Sequence, residues 1–197
     1  MILFFDTETT GFTRPNMPVS HESQPHLTQI AAQLVRPDNS TFMEFSLIVN
    51  AGVPIPKQAS DVHGITNEIA EEYGVSQSTA VDFFLKLYGH ADLVVAHNIN
   101  FDKQVMETAI ARRTGGTMRL TKDLYCTMRN ATDIVKAPPT AKMVAAGRTH
   151  WKSPNLGECI KHFFDEELED AHDAMVDVQA CRRVYFKLNE GKTDENH

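Results

Sequence analysis

Ile2-Leu3-Phe4-Phe5-Asp6-Thr7-Glu8-Thr9-Thr10-Gly11 is the stretch on which the fold turns. Ile2 to Phe5 is an unbroken apolar run bounded by a polar, glycine-containing segment, the pattern of a strand buried on both faces. Asp6 and Glu8 follow at its C-terminal end. Side chains alternate along an extended chain, so these two carboxylates share a face. Two acids side by side at the end of a buried strand repel, and they stay ionised together only with positive charge between them. A divalent cation such as Mg²⁺, which takes carboxylate oxygens, meets that need. A solvated acidic turn bent at Gly11 is the alternative, and the stretch by itself does not choose.

Outward from this strand the chain alternates between patterns. Thr13 to Pro25 is a polar loop with three prolines. Leu27 to Val35 and Phe42 to Val49 are apolar-rich runs joined by Pro37-Asp38-Asn39-Ser40, a β-hairpin pattern. A short helical turn ends at Gly64, and Thr66 is placed to cap a second short helix. Val81, Phe84, Leu85 and Tyr88 form a helical stripe within Ser78–Tyr88. Leu93 to Ala96 is another short buried strand, Ile99 to Ala111 returns to helical spacing, and Leu124 to Cys126 is one more strand. Pro138 to Gly147 carries the least regular pattern and is expected to be a loop. Leu156 to Phe164 is a helix with Asn155 or Ser153 near its cap, and the last helix runs from about Asp173 to Leu188. Three strands, then strands alternating with helices, predict an α/β chain with helices packed on a central sheet. One domain over 1–188 and a polar, frayed tail over 189–197 are expected.

Composition narrows the function classes. No apolar run approaches the ~20 residues that span a bilayer, and the N-terminus lacks a basic region, so neither a membrane span nor a signal peptide is expected. Cys126, Cys159 and Cys181 are odd in number and widely spaced, the usage of reduced thiols in a cytoplasmic protein. The formal net charge of −7 argues against a protein that coats nucleic acid. Yet residues 112–161 hold ten Lys and Arg against three acids. That basic flank fits a polyanion approaching from one side, and equally fits scattered solvated cations. Trp151, between His150 and Lys152, is a candidate stacking residue there, with simple packing as the alternative.

Two further places repeat the logic of the opening. In Leu93 to Asp102 a buried strand ends, His97 and Asn98 follow as turn formers, and Asp102 opens a helix, where acids are favoured by the helix dipole. In His172-Asp173-Ala174-Met175-Val176-Asp177, Asp173 and Asp177 share a helix face. Asp177 lies among apolar neighbours and would be costly to bury without a metal or hydrogen-bond partner. Spacing does not decide between Asp173 and Asp177.

Phe5-Asp6-Thr7-Glu8-Thr9-Thr10-Gly11, then His97-Asn98-x-x-Phe101-Asp102, then His172-x-Ala174-x-x-Asp177 resembles the three motifs of the DnaQ-like, DEDDh family of 3′→5′ exonucleases, in order and in position. Val62-His63-Gly64-Ile65-Thr66 and Ser153-Pro154-Asn155-Leu156 are similar to further segments of that family. The sister subclass has a tyrosine four residues before the last acid; here Asp173 stands there, and the histidine subclass fits.

The resemblance spans about residues 1–187. It implies an RNase H-like fold, with three antiparallel N-terminal strands followed by parallel strands. It implies Asp6, Glu8, Asp102 and Asp177 as ligands of two divalent cations, Mg²⁺ or Mn²⁺, and so favours Asp177 over Asp173. It gives His172 the role of general base, to which the ordinary pKa of histidine near ~6.5 is suited. It places Thr7, Thr9, Thr10, His63, Ile65, His97, Asn98 and Phe101 at the 3′-terminal nucleotide. Phe101 has a core position as its alternative, and Phe12 shares the ambiguity. The implied activity is release of 5′-nucleoside monophosphates from a free 3′ end, with single-stranded DNA as the expected substrate and DNA repair as a setting.

Other functions are weighed beside it. RNA trimming is the near alternative, since nothing in the residues selects a 2′-hydroxyl. A binding module that merely kept the fold is disfavoured, because all five expected catalytic residues are present. A proofreading subunit is disfavoured by the short segment after the last helix, which favours a free-standing exonuclease. A polymerase partner and a homodimer are arrangements the family also contains.

Overall fold

The computed structural model describes residues 1–191. The tail expected at 189–197 therefore falls, from 192 onward, outside the described residues. The hairpin pattern of the first fifty residues is realised as β1 (Ile2–Thr9), β2 (Leu27–Val35) and β3 (Thr41–Asn50), paired antiparallel in sequence. The turn between β2 and β3 is closed by Arg36 N–H donating to Ser40 O, with Asn39 at φ 63° and Asp38 Oδ1 accepting from Ser40 N–H. β5 (Leu93–Ala96) then pairs parallel with β1, and β6 (Asp123–Cys126) parallel with β5. A two-residue strand, β4 (Val75–Ser76), adds parallel to β3 and completes a six-stranded sheet of order β4-β3-β2-β1-β5-β6. The expected mixed sheet is thus present, with β4 as an addition that its two residues could not announce.

Helices cover both faces, as the continuous apolar runs of β1 and β2 require. Leu3 and Phe5 point to a cluster with α3 (Gln77–His90) and α4 (Ile99–Thr114), where Phe84, Met106 and Ile110 are fully buried. Phe4 points the other way, into a cluster with α7 (Leu156–Phe164) and α8 (Ala174–Leu188) that includes Ile160, Val178 and Val184. Each of these fully buried side chains stabilises the fold by roughly 1.5–3 kcal/mol. That anchoring offsets the cost of what sits at the other end of β1.

Local signals account for most helix limits. α1 (Lys57–His63) stops at Gly64, whose φ of 75° suits a residue without Cβ. Thr66 caps α2 (Asn67–Tyr73) by accepting from Ile69 N–H. Asn155 and Glu158 form a reciprocal capping box on α7. The loop from Gly11 to His26 is polar but firmly held. Buried Gln24 accepts from Arg14 N–H and donates to Arg14 O, while Arg112 on α4 donates to Gln24 O and Pro25 O.

Three expectations need correction. β1 does not end at Phe5 but runs to Thr9, because β2 supplies ladder partners as far as Leu27 while β5 pairs only with residues 2–4. Asp6 and Glu8 therefore lie inside a strand that has lost one neighbour. α5 (Thr127–Val135) follows β6 directly and was not foreseen. The stretch 138–147, expected to be a loop, contains α6 (Ala141–Ala145), capped by Thr140 accepting from Met143 N–H.

Candidate active site

The gap beside β1 is where the acids meet. Beyond Phe4 the β5 edge of β1 is unpaired, and α4 begins just past the end of β5. Thr7 N–H and Thr7 Oγ1–H both donate to Asp102 Oδ1, at 3.1 and 2.8 Å. The α4 carboxylate thus takes the place of the missing strand. Asp6 and Glu8 alternate to the Phe4 face of the strand, the face covered by α8, which brings Asp177. One oxygen of each of Glu8, Asp177 and one ring nitrogen of His172 lie within 4.8 Å of one another. Asp6 is not in that tight group, but it lines the same cleft of about 270 Å³ with His97, Asn155, His172 and Asp177.

The electrostatics are those of crowded, buried acids. Asp102 is 2% exposed and Asp177 8%. Burial holds the Asp6 carboxyl well above the usual range, and Asp102, Asp177 and Glu8 push it further. Glu8 is raised to about 8 by burial and by Asp177 and Asp102. Asp102 is raised to about 7 by burial, against the two hydrogen bonds from Thr7. Asp177 is raised by burial, partly opposed by the His172 N–H that donates to its Oδ2 at 3.3 Å. Among the described residues no lysine or arginine is ion-paired to any of the four.

This donor set fits a hard divalent cation. Four carboxylates from β1, α4 and α8 converge without a countercharge, and Asp177 Oδ1 is buried with no hydrogen-bond partner. Protein interiors rarely leave a carboxylate oxygen in that state, and oxygen-rich acidic cages are what Mg²⁺ and Mn²⁺ take.

The sign of the pH effect follows. Without cation the folded acids hold protons that the unfolded chain releases near pH ~4, so the folded state binds more protons. Its stability then falls as pH rises from about 4 through about 8. In EDTA the melting temperature is expected to be higher at pH ~5 than at pH ~8, and added Mn²⁺ or Mg²⁺ should raise it more at pH ~8. Calorimetry showing an equal metal effect at both values would contradict the cage.

His172 stands at the mouth. Its φ of 76° is left-handed backbone, uncommon for a residue with a side chain. Its side chain is 56% exposed, and Nδ1 lies 4.0 Å from Glu8 Oε1. Asp173 is the α8 N-cap, its Oδ1 accepting from Met175 and Val176 N–H. Its carboxylate is occupied by the helix end, and that of Asp177 is not.

The other expected contacts divide. His97 lines the cleft, but both ring nitrogens are engaged, with Thr127 Oγ1 and Pro154 O, each at 2.9 Å. Burial lowers it to about 4, so it serves as a neutral strut between β5, α5 and the segment before α7. Asn98 caps α4 in left-handed backbone at φ 70°. Phe101 is half-buried against the α3–α4 core. Ile65 is buried with Ile55 and Ala70. His63 Nδ1 accepts from Ile65 N–H and Nε2 faces Thr28 Oγ1 at 3.5 Å. Thr9 Oγ1 donates to Gly11 O, and Thr10 Oγ1 accepts from His26 N–H. Phe12, by contrast, is 92% exposed at the end of this segment.

Two contributors went unforeseen. Asn155 was expected only as a cap, yet it also lines the cleft with Leu156, Gly157 and Leu168. Gln29 lies opposite Glu8 in β2, accepts from Ala174 N–H and donates to Asp173 Oδ2. It thereby fixes the start of α8, and the available signal was a glutamine, one of two in β2, on a strand buried along its whole length.

Comparison with known proteins converges on one group. The RNase_T family model, described as an exonuclease, matches residues 3–185. DNA polymerase III subunit epsilon of Pasteurella multocida is 24% identical over 197 residues, covering 98% of this chain and 71% of that one. The structure of E. coli Exonuclease I in complex with a dT13 oligonucleotide superposes with a TM-score of 0.70 at 19% identity, over 96% of this chain. A zinc-bound E. coli ExoI–ssDNA complex gives a TM-score of 0.69 at 18% identity, over 98%. These likenesses show the fold. The chain spans about two fifths of those exonuclease I chains, 41% in each case. No helix among the described residues is long and apolar enough to cross a membrane.

Proposed function

The chain belongs to the RNase_T exonuclease family, and from that premise we propose that it removes 5′-nucleoside monophosphates one at a time from the 3′ end of single-stranded DNA. Residues 1–188 act as one exonuclease domain in this proposal. The observation that carries it is the convergence of Asp6, Glu8, Asp102 and Asp177 beside an exposed histidine, with one buried carboxylate oxygen unpartnered.

Two divalent cations, Mg²⁺ or Mn²⁺, held by those four carboxylates would supply Lewis-acid charge at the scissile phosphate and make water acidic enough to be deprotonated near neutral pH. His172 takes the proton of the attacking water as general base. The water oxygen bonds to phosphorus, the P–O3′ bond breaks, and the leaving 3′ oxygen ends as a hydroxyl by taking a proton from solvent. His172 N–H and the Thr7 hydroxyl hold the carboxylates of Asp177 and Asp102 in place. In this proposal the Thr7–Thr10 backbone and the exposed Phe12 receive the terminal nucleotide, the ring of Phe12 offering a stacking face that reads no sequence.

Digestion of 3′- and 5′-labelled oligonucleotides of DNA and RNA, single- and double-stranded, with and without EDTA, tests this directly. Stepwise shortening of 5′-labelled single-stranded DNA, release of labelled mononucleotide from the 3′ label, and full inhibition by EDTA are expected. Endonucleolytic fragments, or activity indifferent to EDTA, would contradict it, and faster loss of RNA would transfer the proposal to an exoribonuclease. The likeness to polymerase III epsilon subunits favours one second reading, a proofreading subunit, which co-purification with a polymerase would establish. Three buried free thiols support a reducing, cytoplasmic setting for either.

A further inference from the structure

A second cleft, of about 460 Å³, lies on the basic flank and is lined by Arg129, Asp133, Met143, His150, Trp151 and Lys152. It is assembled from α5, α6 and the segment 148–153. Arg148 N–H donates to Met143 O, and Lys152 N–H donates to Ala137 O, so the run that carries Trp151 is tied to α6 and to the segment just after α5. Trp151 is 44% exposed there. In this lining Lys152 is ion-paired with Glu158, and Arg129 has no ion-pair partner among the described residues. Asp133 is the single acid in the lining. This cleft borders the catalytic one: Ser153 lines the first, Asn155 lines the second, and Pro154 O between them is held by His97 Nε2.

We infer that this surface binds the single strand upstream of the 3′ end, with Trp151 stacking a base and Arg129 meeting a phosphate. The inference rests on the proposed exonuclease function. A protein of net charge −7 gains little from general attraction to a polyanion, so a local contact that joins a stacking face to an unpaired arginine beside the site is the feature that would retain the strand between cleavages. An exposed indole beside the unpaired Arg129 suits bases linked by phosphates better than an acidic peptide, which offers charge without stacking faces. The contact acts beyond the terminal nucleotide, so it alters binding of long strands and leaves the shortest substrate alone.

Trp151 is the only tryptophan in the chain, so its fluorescence reports this surface alone. With Ca²⁺ replacing Mg²⁺, single-stranded DNA of about 12 nucleotides, within the ~4–16 that a stacking groove covers, should quench it, and a dinucleotide should not. Trp151→Ala should weaken binding of that strand roughly 5- to 150-fold, the range of one lost base stack, and raise its KM accordingly. Dinucleotide hydrolysis should be unchanged, which also shows that the variant is folded. Trp151→Phe should restore most of the binding, and Arg129→Ala should lower the salt slope by about 0.7. An unquenched tryptophan with the long strand bound, or an unchanged KM in Trp151→Ala, overturns the inference. Equal quenching by poly-glutamate overturns its assignment to nucleic acid. If the wild-type protein hydrolyses neither substrate, the exonuclease proposal fails, and quenching by the long strand decides separately whether this surface binds it.

Discussion

Asp6→Asn is expected to slow 3′-end hydrolysis at least about 10³-fold in saturating Mg²⁺ while raising the melting temperature of the metal-free protein at pH ~8. The first effect follows from the position of Asp6, whose carboxyl is raised by all three of its partners in the cage. Loss of cation-derived stabilisation of several kcal/mol, at about 1.4 kcal/mol per decade of rate, gives a factor of this size. The second follows from burial. At pH ~8 the unfolded chain ionises Asp6 freely, whereas the metal-free folded site must keep a proton or bury a charge. Asparagine has neither penalty, and its amide is isosteric. The gain is largest at high pH and vanishes below about pH 4, where wild type is protonated in both states. Asp173→Asn is the control. Asparagine caps a helix as well as aspartate does, so its rate should change by no more than about threefold. Single-turnover hydrolysis and calorimetry in EDTA read both quantities. An Asp6→Asn protein that keeps its rate removes the cage, and one that melts several degrees lower was damaged in its fold.

The fold was legible where the pattern carried its own cause. Ile2–Phe5, Leu27–Val35 and Leu93–Ala96 are apolar runs, and all three lie in strands. Of the two cap candidates for α7, Asn155 is the one the helix uses, and Glu158 completes its capping box. What escaped depends on partners distant in sequence. β4 exists only because β3 accepts it. α5 starts without a side-chain cap, and the helical spacing of Met128, Ala131 and Val135 was the signal available for it. α6 buries nothing at all. The carboxylates were legible as a set of types and spacings, but the reason they converge was not. That reason is the early end of the β1–β5 ladder, which leaves Thr7 N–H free for Asp102. His97 illustrates the converse case. Its motif placed it at the cleft, and only the fold supplies Thr127 and Pro154 to occupy both of its nitrogens.

His172→Asn is expected to lower the turnover rate by about 10²- to 10⁴-fold, the usual contribution of a positioned base, while the metal-induced rise in melting temperature persists. Asparagine is the substitution to make because residue 172 has φ 76°, a conformation that alanine would strain and that asparagine tolerates. The backbone N–H that donates to Asp177 Oδ2 is kept, so the cage loses no hydrogen bond. Two roles compete for this side chain. As a base it must meet water from an exposed position, which its 56% exposure provides. As a ligand it would belong to the group it forms with Glu8 and Asp177, whose atoms lie within 4.8 Å of one another. The two separate cleanly by experiment. If His172 is the base, the metal-saturated variant loses the acid limb of its pH–rate profile and still binds Mn²⁺. The glycine variant, His172→Gly, which suits the same backbone, should then regain activity with added imidazole. If His172 is instead a ligand, calorimetry will show the Mn²⁺ stabilisation collapsing along with the rate, and imidazole rescue will track metal affinity rather than turnover.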